Sequence, residues 1–416
     1  MSMSSTNLDH HRHQATGDFH RERGPVWLSA AAGLCASLVG LGLARFAYTP
    51  LIPALIAAKW FSPAEAVYLG AANLAGYLTG ALIACELGKR AGAVHALRGT
   101  MVLASLSAFA CSMPVSFIWF FGWRFLAGLS GGVIMVLAAS TILPHTAPGK
   151  RGLVGGVIFA GVGLGIAASG TLVPLLLQQG LKQSWYGLGL LSALLTLVSW
   201  TAWPADARAS EAAANNHVPS RGRNPAIVRT LGVEYGLNAL ALVPHMVFLV
   251  DFVARGLGQG ISAGSHYWVL YGIGATIGPL LTGHLADRAG FGPALRAAFL
   301  IEAIAILLPA LSSAPASMIV SSVIVGGFTP GIVPLVLGRI NELIPHNAAS
   351  QRAAWAQATT MFAMFQAAAA YGLSYLFEHT GGDYAILFVI GAAAVLASLA
   401  IDLVTALIAR RQKLEA

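Results

Sequence analysis

Twelve apolar stretches fill the chain from residue 26 to residue 409 and leave little between them. They run near 26–57, 64–87, 96–113, 115–143, 153–178, 184–203, 228–253, 264–286, 294–313, 316–344, 353–377 and 384–409. About 20 helical residues cross a hydrocarbon layer of ~30 Å, and nearly every stretch is that long. In hydrocarbon, a backbone this continuous satisfies its N–H and C=O groups only as helix. The expectation is an all-α integral membrane protein. Only 10% of the residues are charged and 56% are hydrophobic, with a mean hydropathy of +0.72. Soluble domains carry about a quarter charged residues.

The polar remainder sets the organisation. Residues 1–25 have no short apolar core of a secretion signal and read as a disordered cytoplasmic tail. Their four histidines (His10, His11, His13, His20) read as solvated rather than metal-binding. Cys35, Cys85 and Cys111 lie in or beside apolar spans without metal-ligand spacing and are assigned no chemistry. Residues 204–227, rich in Pro, Asn and Ser, separate a first bundle at 26–203 from a second at 228–409, and 410–416 form a second tail.

Positive charge fixes the expected orientation. Of the 24 Lys and Arg, 18 fall on the side holding both termini, three (Lys59, Lys182, Arg255) fall on the other, and three (Arg45, Arg124, Arg339) lie inside spans. Both termini are therefore expected in the cytoplasm, in the cell inner membrane. The same asymmetry accounts for the pI of about 9.6 through contact with anionic lipid and without nucleic acid.

Two phrases recur. RAGAVHALR at 90–98 returns as RAGFGPALR at 288–296, with six of nine positions identical at an offset of 198. ILPHTAPGKR at 142–151 returns as LIPHNAASQR at 343–352, at an offset of 201. Six spans, a linker, six spans and echoes at a near-constant offset describe a parallel repeat of one six-helix unit.

With these features the chain resembles the major facilitator superfamily over residues 26–409. GHLADRAG, with Gly283, Asp287, Arg288 and Gly290, looks like that superfamily's loop after the eighth helix. The opening GLGLARFAYTPLIPAL, with Arg45, Pro50 and Pro53, is similar to the YbfB/YjiJ-type branch. The resemblance implies two bundles rocking about a central cavity lined by helices 1, 4, 7 and 10. Asp287 would latch the cytoplasmic ends by accepting from N–H groups at a helix start and pairing with an Arg. The first-half copy departs from the pattern, with Lys89 at the Asp position, so a latch there must use Glu86 or none.

A charge in mid-span costs about 2.5–3.5 kcal/mol on insertion scales, so each needs a reason. Arg45, Arg124, Glu234, Asp251, Arg339 and Glu342 lie in spans 1, 4, 7 and 10; Glu302 and Asp402 fall outside that set. Arg45, with Tyr48 and Thr49 a turn on, is expected to meet substrate or coupling groups, the rival being an ion pair with Glu234 or Asp251. Arg124 resembles the superfamily's helix 4 arginine, tied to proton coupling and backbone carbonyls. Trp119, Phe120 and Trp123 beside it stack on a ligand or anchor the helix at the interface.

Glu234, Asn238 and His245 share one face of span 7, where Pro244 loosens the backbone. Glu234 or His245 carries a coupled proton, or the residues join helices by hydrogen bonds. Arg339 and Glu342, three apart, read as a structural or gating pair, and His145 and His346 as end caps. Gly70, Gly76 and Gly80, Gly161, Gly163, Gly165 and Gly170, and Gly272, Gly274 and Gly278 are expected to smooth the interface where the bundles move.

The expected function is a secondary active transporter, working by alternating access and coupled to protons. Three arginines inside spans tilt its small-molecule substrate towards an organic anion. No phosphate-binding loop or intramembrane His and carboxylate cluster supports ATP coupling or an enzyme. The alternatives are a proton-antiport exporter of drugs or metabolites, and a non-transporting sensor or scaffold. Protons, lipid and one solute are the expected partners of a monomer without cofactor.

Overall fold

The computed structural model of the 416-residue chain describes residues 26–146, 151–204, 225–345 and 348–414. The histidine-bearing tail, nearly all of the linker and His346 lie outside these, as do the side chains of Asp287 and Arg352.

Helix follows helix throughout the described residues. The first span is α1 (Val26–Ser37), a π-wound Leu38–Leu43, a 3-10 segment Phe46–Leu51 and α2 (Ile52–Ala57). Then come α3 (Pro63–Ala91), α4 (Ala93–Ala110), α5 (Phe117–Ile142), α6 (Arg151–Leu177) and α7 (Leu181–Ser199). After the linker, span 7 is α8 (Pro225–Val243), π-wound Pro244–Phe248, the short α9 (Leu249–Asp251) and π-wound Phe252–Gly256. The chain continues as α10 (Gly260–Ala289), α11 (Phe291–Leu311), α12 (Pro315–Leu343), α13 (Ala348–His379) and α14 (Tyr384–Leu414).

Ten of these rods are long and apolar enough to cross a membrane. The two that fall short, α7 and α13, are helices where spans 6 and 11 were expected. α7 opens on Lys182, Gln183 and Ser184, and α13 carries Gln357, Thr359, Thr360 and Gln366, which dilutes their hydropathy. Two expected boundaries move. α8 starts at Pro225, inside the expected linker, and α14 continues through Arg410 and Arg411, inside the expected tail.

Local signals explain the helix ends. Ser62 and Glu65 form a capping box in front of α3, with Pro63 at its first position. Ser116 accepts from Trp119 N–H at the start of α5. The repeated RAG phrases are matching one-residue corners. Gly92 between α3 and α4 has φ +84°, and Gly290 between α10 and α11 has φ +81°, a region that glycine enters without penalty.

Packing repeats as well. α3 lies along α5 as α10 lies along α12, α1 along α6 as α8 along α13, and α4 along α7 as α11 along α14. Contact between the first and second sets runs chiefly through α6 with α10 and α3 with α13. The glycines divide between these roles, which corrects the expectation that they share one interface. A Cβ on Gly76 would come within 1.9 Å of the Phe125 carbonyl, and one on Gly274 within 2.1 Å of the Val323 carbonyl, so both serve close packing inside a half. Gly161 and Gly165 pack on the first span. Gly163 and Gly272 face across α6 and α10, where a Cβ would meet Thr276 Oγ1 at 2.5 Å and Ala167 N at 2.3 Å.

The outward surface is apolar. Ile118, Leu280, Leu197, Leu311 and Leu281 are among the most exposed large side chains, as lipid contact requires and water does not tolerate. Trp119 belongs to this surface, its indole N–H bonded to Ala110 O at 3.0 Å, while Phe120 is core against Trp60, Phe61 and Trp185.

Candidate functional site

The first span changes its winding where the sequence places Gly40, Gly42 and Pro50. Wide π turns give way to tight 3-10 turns at Ala44 and Arg45, and Tyr48 N–H bonds to Arg45 O at 3.4 Å. The Ala44 carbonyl, which Tyr48 N–H would take in an α-helix, turns outward to side chains. Arg124 Nη1 donates to it at 2.8 Å and Asn73 Nδ2 at 3.4 Å, with Asn73 also donating to Arg124 O at 3.1 Å. Arg124 is buried and its guanidinium lies 4.1 Å from the centre of the Tyr48 ring. Tyr48 is held in turn by its hydroxyl, which donates to Ala66 O at 2.7 Å.

Arg45, at the break itself, reaches into the second half. Its Nη2 donates to Gln366 Oε1 on α13 at 2.7 Å and approaches Met246 Sδ at 3.9 Å. The Phe46 and Tyr77 rings flank it at 5.0 and 4.9 Å. Span 7 is broken at the corresponding place by Pro244 and two π segments, and Thr49 Oγ1 donates to Met246 O at 2.5 Å. Two broken helices, one from each half, thus face each other across a small cavity of about 20 Å³. Arg45, Tyr48, Thr49, Asn73, Arg124 and Met246 line it, and one water needs about 10–15 Å³. The site is collapsed in this conformation.

The charge balance of the site is unusual. Arg45 and Arg124 lie within electrostatic reach of each other, and each has a buried Nε with no partner. Among the described residues, the four ion pairs join Glu86 to Arg90, Asp251 to Arg255, Asp402 to Arg296 and Glu342 to Arg339. None includes Arg45 or Arg124. The rival pairing of Arg45 with Asp251 is therefore overturned: Asp251 is fully buried and already taken by Arg255 and by the Tyr384 hydroxyl, which donates at 2.6 Å.

The polar face of span 7 turns into the second half rather than towards the two arginines. Asn238 Nδ2 donates to Glu302 Oε2 on α11 at 2.6 Å. His245 Nε2 meets Ser321 Oγ on α12 at 2.7 Å. Ser321 spends its one hydrogen on Ala305 O at 2.6 Å, so the His245 proton sits on Nε2 and Nδ1 faces the core without a partner. Glu234 lies within electrostatic reach of Asp402, Arg339 and Arg296, near the end of the molecule that holds the RAG corners. Glu302, set apart by its position in span 9, thus joins the residues of interest. Its signal was a carboxylate in the apolar stretch that follows Arg296.

The expected gating residues sit at that same end. Arg339 Nη1 donates to Glu342 Oε2 at 2.8 Å, and Glu342 Oε1 accepts from Phe291 N–H at 3.2 Å. Glu342 thereby takes a helix-start role of the kind foreseen for Asp287, whose side chain lies outside the described residues. Arg288 is exposed, and Gly283 has open space beside its Cα. Glu86 pairs with Arg90 on its own helix and, among the described residues, makes no ion pair across the halves. His145 Nδ1 contacts Thr141 O at 3.1 Å, at the end of α5.

Rods able to cross a membrane, packed as two matching sets around two arginines that line one cavity, make a membrane transporter of the major facilitator type. Residues 37–403 match the profile of a family described as uncharacterised MFS-type transporter YbfB, and the chain belongs to that family. No curated protein matches the chain.

Proposed function

We propose that the protein is a secondary active transporter that carries a small organic anion by alternating access between two six-helix bundles, with protons as the coupling ion. The observation that supports the anion is the pair Arg45 and Arg124. A buried guanidinium and a half-buried one share one cavity with no carboxylate beside them among the described residues. Leaving such charge uncompensated in a membrane is expensive, and a carboxylate on the solute supplies the missing partner in bidentate form.

The matching packing of α1–α7 and α8–α14 supports two bundles, with α7 and α13 completing twelve spans. With both termini cytoplasmic by the positive-charge rule, the conformation is closed on the outside. Every residue from Phe46 to Leu55 and from Ala241 to Ala254 is buried. Among the described residues, hydrogen bonds between the halves include those of Arg45, Thr49, Ser169, Met246, Gln366 and Trp268, all nearer that outer end. Opening that end and closing the other would expose Arg45 and Arg124 to each side in turn.

Liposomes carrying purified protein and an internal pH dye test this reading. Pooled organic carboxylates are expected to move protons through the protein, and pooled neutral solutes are not. Proton movement with neutral solutes alone would refute the anion assignment.

A further inference from the structure

We infer that Glu302, on α11, is the proton-binding residue of the transporter, and that its protonation favours the anion at the Arg45 and Arg124 site. This rests on the proposed proton-coupled anion transport for its role, but not for its chemistry.

Glu302 has no exposed surface. Among the described residues its one hydrogen-bond partner is a neutral amide, Asn238 Nδ2 at 2.6 Å, and Oε1 has none. An ionised carboxylate in such a place, without a cation, would bear the full desolvation penalty and neutralises by keeping its proton. A neutral carboxylic acid keeps this contact by donating to the amide oxygen with the Asn238 side chain turned about.

The surroundings of Glu302 hold no free cation among the described residues. From α8 it meets Asn238, with Glu234 one turn to one side and His245 two turns to the other. α12 contributes Ser321 and Ser322 and, at its end, the Arg339–Glu342 pair. α14 contributes Asp402, already held by Arg296. From α10 comes the Tyr271 hydroxyl, which shares a hydrogen bond with Thr329 and lies within electrostatic reach of both Glu302 and Arg45. Glu234, on α8, lies among the charged groups Asp402, Arg296 and Arg339, whereas Glu302 has a neutral amide beside it.

The step is a plain acid dissociation. The Glu302 O–H bond breaks, its electron pair stays on the carboxylate, and the proton passes to water admitted when the halves move. A negative charge at Glu302 then opposes an anion beside Arg45 through the space that Tyr271 occupies. By linkage, proton and anion bind together and leave together, which makes the transporter a symporter.

Infrared difference spectroscopy of the reconstituted protein, without any solute, tests the assignment. The carbonyl band of a neutral carboxylic acid is expected in the native protein at neutral pH and is lost in Glu302→Gln. It should be kept in Glu234→Gln, and should decline as the buffer is made alkaline. Glu302→Asp moves the band rather than removing it and serves if the Gln variant is poorly folded. A native spectrum without a band assignable to Glu302, or a band that ignores pH, overturns the proposal.

Once a labelled carboxylate is known to bind, its affinity should fall about fivefold or more from acid to alkaline buffer in the native protein. In Glu302→Gln the affinity should not change with pH. A titrating band together with a failure of every carboxylate to bind would uphold Glu302 as the proton site and refute anion transport instead.

Discussion

Arg45 Nη2 donates to Gln366 Oε1 at 2.7 Å and so ties the first span to a helix 321 positions further along the chain. A hydrogen bond to a charged group contributes about 1.5–3 kcal/mol. If it exists only while this end is closed, Gln366→Ala shifts the closed population by roughly tenfold, the equivalent of about 1.4 kcal/mol. An impermeant maleimide should then label Ala54→Cys faster, in a background with Cys35, Cys85 and Cys111 replaced by Ser. Equal labelling rates would show that the bond does not hold the end shut.

Asn73 is placed to hold the broken first span against α5, since its amide serves the carbonyls of both Ala44 and Arg124. Asn73→Leu should lower stability by about 1–3 kcal/mol, the cost of orphaning buried polar groups, read as a lower thermal midpoint in detergent. Asn341→Ala, on an exposed position of α12, should leave the midpoint where it was.

Gly272 and Gly99 make a matched comparison. A Cβ at Gly272 would lie 2.3 Å from the backbone nitrogen of Ala167, whereas Gly99 has nothing within 4 Å. Gly272→Val should therefore force α10 from α6 and abolish transport at normal expression, and Gly99→Ala should be silent. Transport by Gly272→Val at the native rate would mean that the α6–α10 contact is not one the cycle depends on.

Removing one partner from a buried ion pair costs about 3–5 kcal/mol, because the other charge is stranded. Arg255 retains 29% exposure of its side chain, so the loss in Asp251→Asn should fall near the lower end. The double variant Asp251→Asn with Arg255→Leu should recover much of it. Thermal midpoints of the two variants decide, and a double variant less stable than the single would contradict the pairing.

Much of the architecture was legible because hydrophobic length is summed over many residues. The RAG phrases foretold matching corners, since only glycine is comfortable at the φ of Gly92 and Gly290. The two arginines were legible too, as charges with no business in an apolar helix. What the sequence hid was direction. The period of span 7 put Glu234, Asn238 and His245 on one face, but not which neighbour that face would meet, and two π segments after Pro244 shift the register further along. Glu302 looked peripheral because its helix is peripheral, and only the contact with Asn238 gives it meaning. Glycine spacing likewise marked close approaches without saying whether they lay within a half or between halves.

The most direct test of the central claim is uptake of labelled small carboxylates by liposomes carrying the native protein, Arg45→Ala or Arg124→Ala. The account predicts saturable uptake of at least one carboxylate by the native protein and its loss in both variants, with little transport of neutral solutes. Undiminished carboxylate uptake in Arg45→Ala, or saturable transport confined to neutral or cationic solutes, would contradict it.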